Sequence, residues 1–137
     1  MRVRVDWAGD VRFLGSTKNG QGIIMEASTS EEETRIGASP METVLMGMGG
    51  CSSYDVVNIL KKMRQPVENL YCDLHASRAS SVPAVFTAVH MVFTVVGNVS
   101  LAKATEAVRL SVGKYCSASK MIGLTAEITT EVKIENS

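Results

Sequence analysis

The chain has 137 residues, 45% of them hydrophobic, which fits one globular domain over residues 1–137 with a real core but too little material to enclose a helix on every side. Fourteen basic residues balance fourteen acidic ones and no basic run occurs, so no nucleic acid and no membrane surface is expected as a partner. Three cysteines without C-x-x-C spacing argue against both a secreted disulfide framework and a zinc site, so no metal or other cofactor is expected.

Residues 2–7 alternate, with Val3, Val5 and Trp7 on one face and Arg2, Arg4 and Asp6 on the other, as in a half-buried strand. Two further runs, 11–14 and 22–26, flank a segment in which Asn19-Gly20 signals a hairpin, so the opening is a small antiparallel meander. The N-terminal residues contain no apolar leader stretch, and the longest apolar run, 92–97, is too short to span a bilayer. A cytoplasmic location is expected.

Residues 27–38 are polar and turn-rich, which predicts a surface loop with its three glutamates, 31–33, solvated. Arg35 is the loop residue able to fold back over a site or to come from a partner subunit. A long helix follows over residues 40–63. Ser39 can cap it, Pro40 suits its first position, and Glu42 completes an S-x-x-E capping box. Val44, Leu45, Met46, Met48, Val56, Val57, Ile59, Leu60 and Met63 are spread around its axis, the pattern of a helix buried on all sides. One small domain cannot bury such a helix, which points to a partner chain. Gly47, Gly49 and Gly50 each cost about 1 kcal/mol against alanine in a helix interior, so close approach by another backbone or a ligand is expected there.

A strand follows over 70–77, with Cys72 on its apolar face, and then a central strand over 84–96 with both faces largely apolar. His75 and His90 stand in these strands without ligand-spaced neighbours and are read as structural. Ser100 caps a second helix in which Leu101, Ala104, Val108, Ser111, Val112 and Tyr115 recur at helical spacing as far as Cys116. Ser117 caps a short turn ended by Gly123, and 124–135 alternate as a closing strand. The order β-β-β-α-β-β-α-α-β defines an α+β domain.

Cys51 in the buried helix and Cys116 at the end of the second helix can meet only in the fold. Thiolate chemistry requires a nearby cation or helix N-terminus, and Arg12, Arg35, Lys114 and Lys120 are the available cations. From spacing alone, a pair of inert buried thiols is the default reading.

The segments SPMETVLMGMGGCSSYDVV and KYCSASKMIGLTAEITTEVKI resemble the OsmC/Ohr family of cysteine-dependent hydroperoxide reductases, in a P-E-x-L-x(7)-C helix and a second C-x-x-S site. The matching positions are Pro40 to Cys51 and Cys116 to Ser119, and the element order fits as well. The resemblance implies an OsmC-like fold, antiparallel sheets around long central helices in an intertwined homodimer with sites at the subunit interface. It implies that Cys51 is the peroxidatic thiolate and Cys116 the resolving thiol, joined in a disulfide that an external dithiol reduces. A helix glutamate and a loop arginine support the thiolate in the family, which makes Glu42 and Arg35 the candidates here. The family glutamate lies ten residues before the cysteine, where this chain has Met41. Glu42 is nine before, on the opposite side of an ideal helix, and has a structural role as the capping-box residue.

Two functions are therefore expected to compete. One is a peroxidase for organic hydroperoxides with a pocket lined by Val44, Leu45, Met48 and Tyr54. The other is a redox-sensing or binding dimer that holds a small apolar or thiol-containing metabolite.

Overall fold

The computed structural model describes residues 1–27 and 34–137, so the three glutamates at 31–33 and half of the loop expected around them lie outside the described residues. The described residues form two compact units, 1–46 and 47–137.

In the first unit, β1 (Val3–Trp7), β2 (Arg12–Thr17) and β3 (Gly22–Glu26) form the expected antiparallel meander. Strand β2 runs three residues further than its apolar pattern indicated, leaving a four-residue connection at 18–21 in which Gly20 takes the left-handed conformation (φ 89°). Beyond β3, Ala38 bridges to Met25, and the Glu26 N–H donates to the Ala38 carbonyl at 3.0 Å. One expectation fails here. Val3, Val5 and Trp7 share a face but all are exposed, Trp7 at 71%, because three strands alone supply no second layer to cover that face.

Helix α1 (Pro40–Lys62) starts at the capping box read from the sequence. The Glu42 N–H donates to Ser39 Oγ at 3.1 Å, and the Ser39 N–H donates to Glu42 Oε1 at 2.9 Å. The helix is not buried on all sides in a single chain. Met48, Gly49, Ser52, Val56 and Leu60, at spacings of three and four, form one buried stripe. Val44, Met46 and Tyr54 are exposed, whereas Met48 belongs to the core rather than to a pocket lining. Close approach accounts for one of the three glycines. A Cβ on Gly49 would fall 2.8 Å from Leu74 Cδ1, while one on Gly47 or Gly50 would meet nothing within 4 Å.

The second unit contains β4 (Asn69–Arg78), β5 (Phe86–Val96) and β6 (Glu127–Glu135) in that spatial order, so β5 is central as its two apolar faces require. Val89, Met91, Phe93 and Val95 on one of those faces are fully buried. The sheet is mixed. Strand β4 runs antiparallel to β5, but β6 runs parallel to it. A parallel neighbour needs a long crossover, and the helical segment between β5 and β6 supplies one. That segment comprises α2 (Leu101–Leu110), a π turn (Ser111–Tyr115) and α3 (Ser117–Ile122). The expected helical face is kept at Ala104, Val108 and Ser111, which are buried, but Leu101 and Tyr115 at its two ends are exposed. The last strand starts at Glu127 rather than 124, because residues 124–126 are spent closing α3 with bonds back to Met121 and Ile122.

Candidate active site

Three local features of the sequence assemble the site in the second unit. Cys51 lies one residue before Ser52 on the buried stripe of α1, so its side chain is carried at the margin of that stripe and is half-buried. The π turn ends at Cys116, whose N–H donates to the Ser111 carbonyl at 2.8 Å across five residues. The chain then becomes extended at Cys116 and α3 starts. Cys116 itself, not Ser117, is the N-cap residue of α3, and its sulfur accepts the Ser119 N–H at 3.4 Å.

This geometry brings the Cys51 and Cys116 side chains near enough for each to shift the ionisation of the other. Both are free thiols, and Cys116 is the more deeply buried, 2% exposed. Three consecutive amides of α3 serve the pair. The Ser119 N–H faces Cys116, and the Ala118 and Ser117 N–H groups act on the ionisation of Cys51. For Cys51 the Ala118 N–H is the largest influence and favours the thiolate. The Cys116 side chain and burial oppose it and prevail, which holds the Cys51 thiol above its ordinary value. For Cys116 burial works against the thiolate, but the Ser119 side chain and N–H, together with Cys51 and Ser52, outweigh it and draw the thiol below its ordinary value.

A buried polar lattice holds the two halves of the site. Ser111 Oγ donates to the Ser52 carbonyl at 2.9 Å and lies 3.3 Å from Asp55 Oδ2, tying the π turn to α1. Ser52 Oγ donates to the Met48 carbonyl of its own helix. Ser119 Oγ is buried without a hydrogen-bond partner. Sequence reasoning assigned none of Ser52, Asp55 and Ser111 to the site, and reached Ser119 only as the end of the C-x-x-S motif. The available signals were a serine on the apolar stripe of α2 and the C-x-x-S spacing, which is the spacing of an N-cap and the amide it accepts.

The other two candidates come together in the first unit. Arg35 Nη1 donates to Glu42 Oε1 at 3.0 Å. The Glu42 carboxyl is held below its ordinary value by the Ser39 N–H first, then by the Ser39 hydroxyl and Arg35. Arg35 Nε is buried and unpaired. The segment carrying Arg35 is anchored by Glu26, whose Oε2 accepts the Ile36 N–H at 3.2 Å and whose Oε1 pairs with Arg12 at 2.6 Å. Arg12, one of the candidate thiolate cations, is thus engaged with Glu26.

Cys72 is set apart from this chemistry. Burial, then the Asp73 charge, push its thiol up to about 12. Among the described residues no group of three or more His, Cys, Asp or Glu side chains is placed to hold a metal ion, and no helix is long and apolar enough to cross a membrane.

A cysteine on a long helix, met by a second cysteine at the junction of two shorter ones in an α+β frame, defines a class of protein. The family model described as OsmC-like protein matches residues 30–133, and the chain belongs to that family. Over 135 residues, 98% of each chain, it is 37% identical to Protein YhfA of Escherichia coli strain K12. A hypothetical protein from Aquifex aeolicus VF5 has a crystal structure similar to this chain with a TM-score of 0.87 and 28% identity, covering 99% of this chain and 96% of that one. The fold is also that of the organic hydroperoxide resistance protein OhrB of Bacillus subtilis, with a TM-score of 0.70 and 16% identity over 96% of each chain.

Proposed function

We propose that this protein is a cysteine-dependent hydroperoxide reductase. The observation that carries the reading is the meeting of Cys51 and Cys116, remote in sequence, as neighbouring free thiols. Family membership supports a redox, hydroperoxide-related role. In the reaction the Cys51 sulfur, the more accessible of the two, attacks the peroxide O–O bond. One oxygen stays on Cys51 as a sulfenic acid and the other leaves as the alcohol. The Cys116 sulfur then attacks Cys51, the Cys51–Cys116 disulfide forms, and the sulfenic oxygen leaves as water. An external dithiol returns the pair to thiols. Organic hydroperoxides are the proposed substrates, since apolar side chains dominate α1. Arg35 keeps Nε as an unpaired buried donor for an oxygen acceptor.

The exposed apolar residues on β1 and α1, Val3, Val5, Trp7, Met46 and Tyr54 among them, favour a homodimer as the working form. A stable monomer in sedimentation at micromolar concentration would remove that part of the proposal. The cytoplasm is the proposed location, where thiols are kept reduced.

Thiol titration after cumene hydroperoxide and, separately, hydrogen peroxide tests the reaction. Two of the three thiols should be lost, faster with the organic peroxide, and peptide mapping should place the disulfide between Cys51 and Cys116. A disulfide containing Cys72, or no peroxide-dependent change at Cys51, refutes the reading. The second function, a redox-sensing or metabolite-binding dimer, is favoured by one observation. The groups that shift Cys51 are backbone amides, burial and Cys116, and none of these is a cation.

A further inference from the structure

A groove of about 560 Å³ runs between the C-terminal half of α1 and the end of α2. Ile59 and Leu110 give it apolar walls and Tyr115 an aromatic one, with Lys114 Nζ 5.2 Å from the centre of that ring. Asp55, Asn58 and Lys62 line the same groove from α1. With Cys51 they fall at spacings of four, three and four, which places all four on one stripe of the helix. Asp55 therefore stands about 6 Å along the axis from Cys51, and Lys62 about 10 Å beyond Asp55. Tyr115 is the residue before Cys116. The groove thus starts one turn from the redox pair and leads away from it.

The polar side chains of the groove find little partnership in the chain itself. Asp55 Oδ2 lies 3.3 Å from Ser111 Oγ, but Oδ1 makes no hydrogen bond among the described residues. Among the same residues Asn58 and Lys62 make no side-chain hydrogen bond or ion pair. Two turns of helix keep the acid and the ammonium from neutralising each other. A ligand complementary to this wall carries an ammonium at the Cys51 end, amide groups midway and a carboxylate about 10 Å away. An extended chain covers about 3.3–3.6 Å per residue, so about three residues fill that span.

We infer that the groove binds a zwitterionic peptide of about three residues with an N-terminal cysteine, and that this thiol reduces the oxidised pair. The peptide ammonium sits on Asp55 Oδ1, its amides on Asn58 and its carboxylate on Lys62, which directs its sulfur at Cys51. The binding stands on the groove alone, and the reductive step rests on the reductase reading, with two monothiols in place of one dithiol. The steps balance. The peptide sulfur attacks Cys51 in the Cys51–Cys116 disulfide and forms a mixed disulfide with it. Cys116 leaves with the bonding pair and takes up the proton that the peptide thiol gives up. A second peptide thiol attacks the sulfur of the first, and Cys51 leaves as a thiol with the proton of that second thiol. Two peptide thiols lose one electron each, and the protein disulfide gains the two.

A chemical-shift titration of the reduced protein with the peptide Ser-Gly-Gly, which cannot exchange sulfur, tests the binding without any peroxide. Saturable binding is expected, weakened roughly three- to fivefold by N-acetylation or by C-terminal amidation of the peptide, the scale of a partly exposed ion pair. Lys62→Gln should abolish the effect of amidation and Asp55→Asn that of acetylation, which binding by apolar contact would not require. No binding at millimolar peptide, or binding indifferent to both blocking groups, overturns the inference. If Asp55→Asn does not fold, the blocked peptides and Lys62→Gln, at an exposed position, decide alone. For the reductive step, Cys-Gly-Gly should reduce the oxidised protein roughly three- to fivefold faster than its C-terminal amide does, and Lys62→Gln should bring that ratio to about one. A ratio of about one in the wild type refutes the step while leaving the reductase reading in place. Failure of the wild type to form any Cys51–Cys116 disulfide would remove that reading and the reductive step with it, and the Ser-Gly-Gly titration would still decide the groove.

Discussion

Replacing Ser111 by alanine deletes one buried hydroxyl and separates stability from site geometry. The hydroxyl donates to the Ser52 carbonyl at 2.9 Å and approaches Asp55 Oδ2 at 3.3 Å. A neutral hydrogen bond contributes about 0.5–1.5 kcal/mol net, and more when the group left behind is buried without a partner. Ser52 lies mid-helix, where its carbonyl retains its intrahelical bond, and Asp55 is half-buried and can turn to water. Ser111→Ala should therefore cost about 1 kcal/mol, a fall in Tm of roughly 3–5 °C for a domain of this size. By contrast Met48→Ala, at a fully buried position, should cost about 2–5 kcal/mol. The same serine ties the π turn to α1, so its loss should also slow closure of the Cys51–Cys116 disulfide. Urea denaturation under reducing conditions gives the first quantity and quenched-flow thiol trapping after cumene hydroperoxide the second. A variant that loses stability as expected but closes the disulfide at the wild-type rate would show that Ser111 does not set the spacing of the pair.

Gly49→Ala places a methyl 2.8 Å from Leu74 Cδ1, and the repacking cost of about 1–3 kcal/mol should at least cancel the gain in helix propensity; a clearly stabilised variant in urea unfolding would contradict the close contact. Cys72 should resist iodoacetamide at mildly alkaline pH in the folded protein, since burial pushes its thiol up to about 12; stoichiometric labelling detected by mass spectrometry would contradict that shift. Glu26, held below the ordinary carboxylate value chiefly by Arg12, contributes stability that is present above its unfolded-state pKa and lost as pH falls through its folded one. Glu26→Gln should accordingly flatten the acid limb of Tm against pH, and an unchanged slope would count against the Arg12 pair.

Much of the frame was legible because it rests on local chemistry. The capping box at Ser39, the alternation of the meander, and the two apolar faces of β5 each need only near neighbours in sequence. Legibility stopped where burial depends on what lies across a face. Trp7, on the apolar face of an alternating strand, and Met46, on a helix whose pattern indicated burial all round, are exposed in the single chain. The parallel run of β6 was equally hidden, since an alternating strand reads the same in either direction. In the site, Cys51 and Cys116 could be singled out as thiols, but their meeting depends on long-range folding. The reading of Ser117 as the cap missed that a cysteine sulfur can take that place, because cap preferences are built on oxygen acceptors. Periodicity likewise carried the second helix straight through to Cys116, since a π turn has no compositional mark of its own.

That π turn makes the redox pair a matter of residue count rather than residue type. Its five-residue bond from the Cys116 N–H to the Ser111 carbonyl contains one more residue than an α-helical turn would. Removing a single position, for instance the exposed Gly113, would let α2 continue as a regular helix and swing Cys116 by about 100° around its axis. Both cysteines would survive such a deletion unchanged, yet they would no longer face each other. A one-codon insertion or loss is thus enough to convert a descendant of this gene between a protein with coupled thiols and one with two solitary ones.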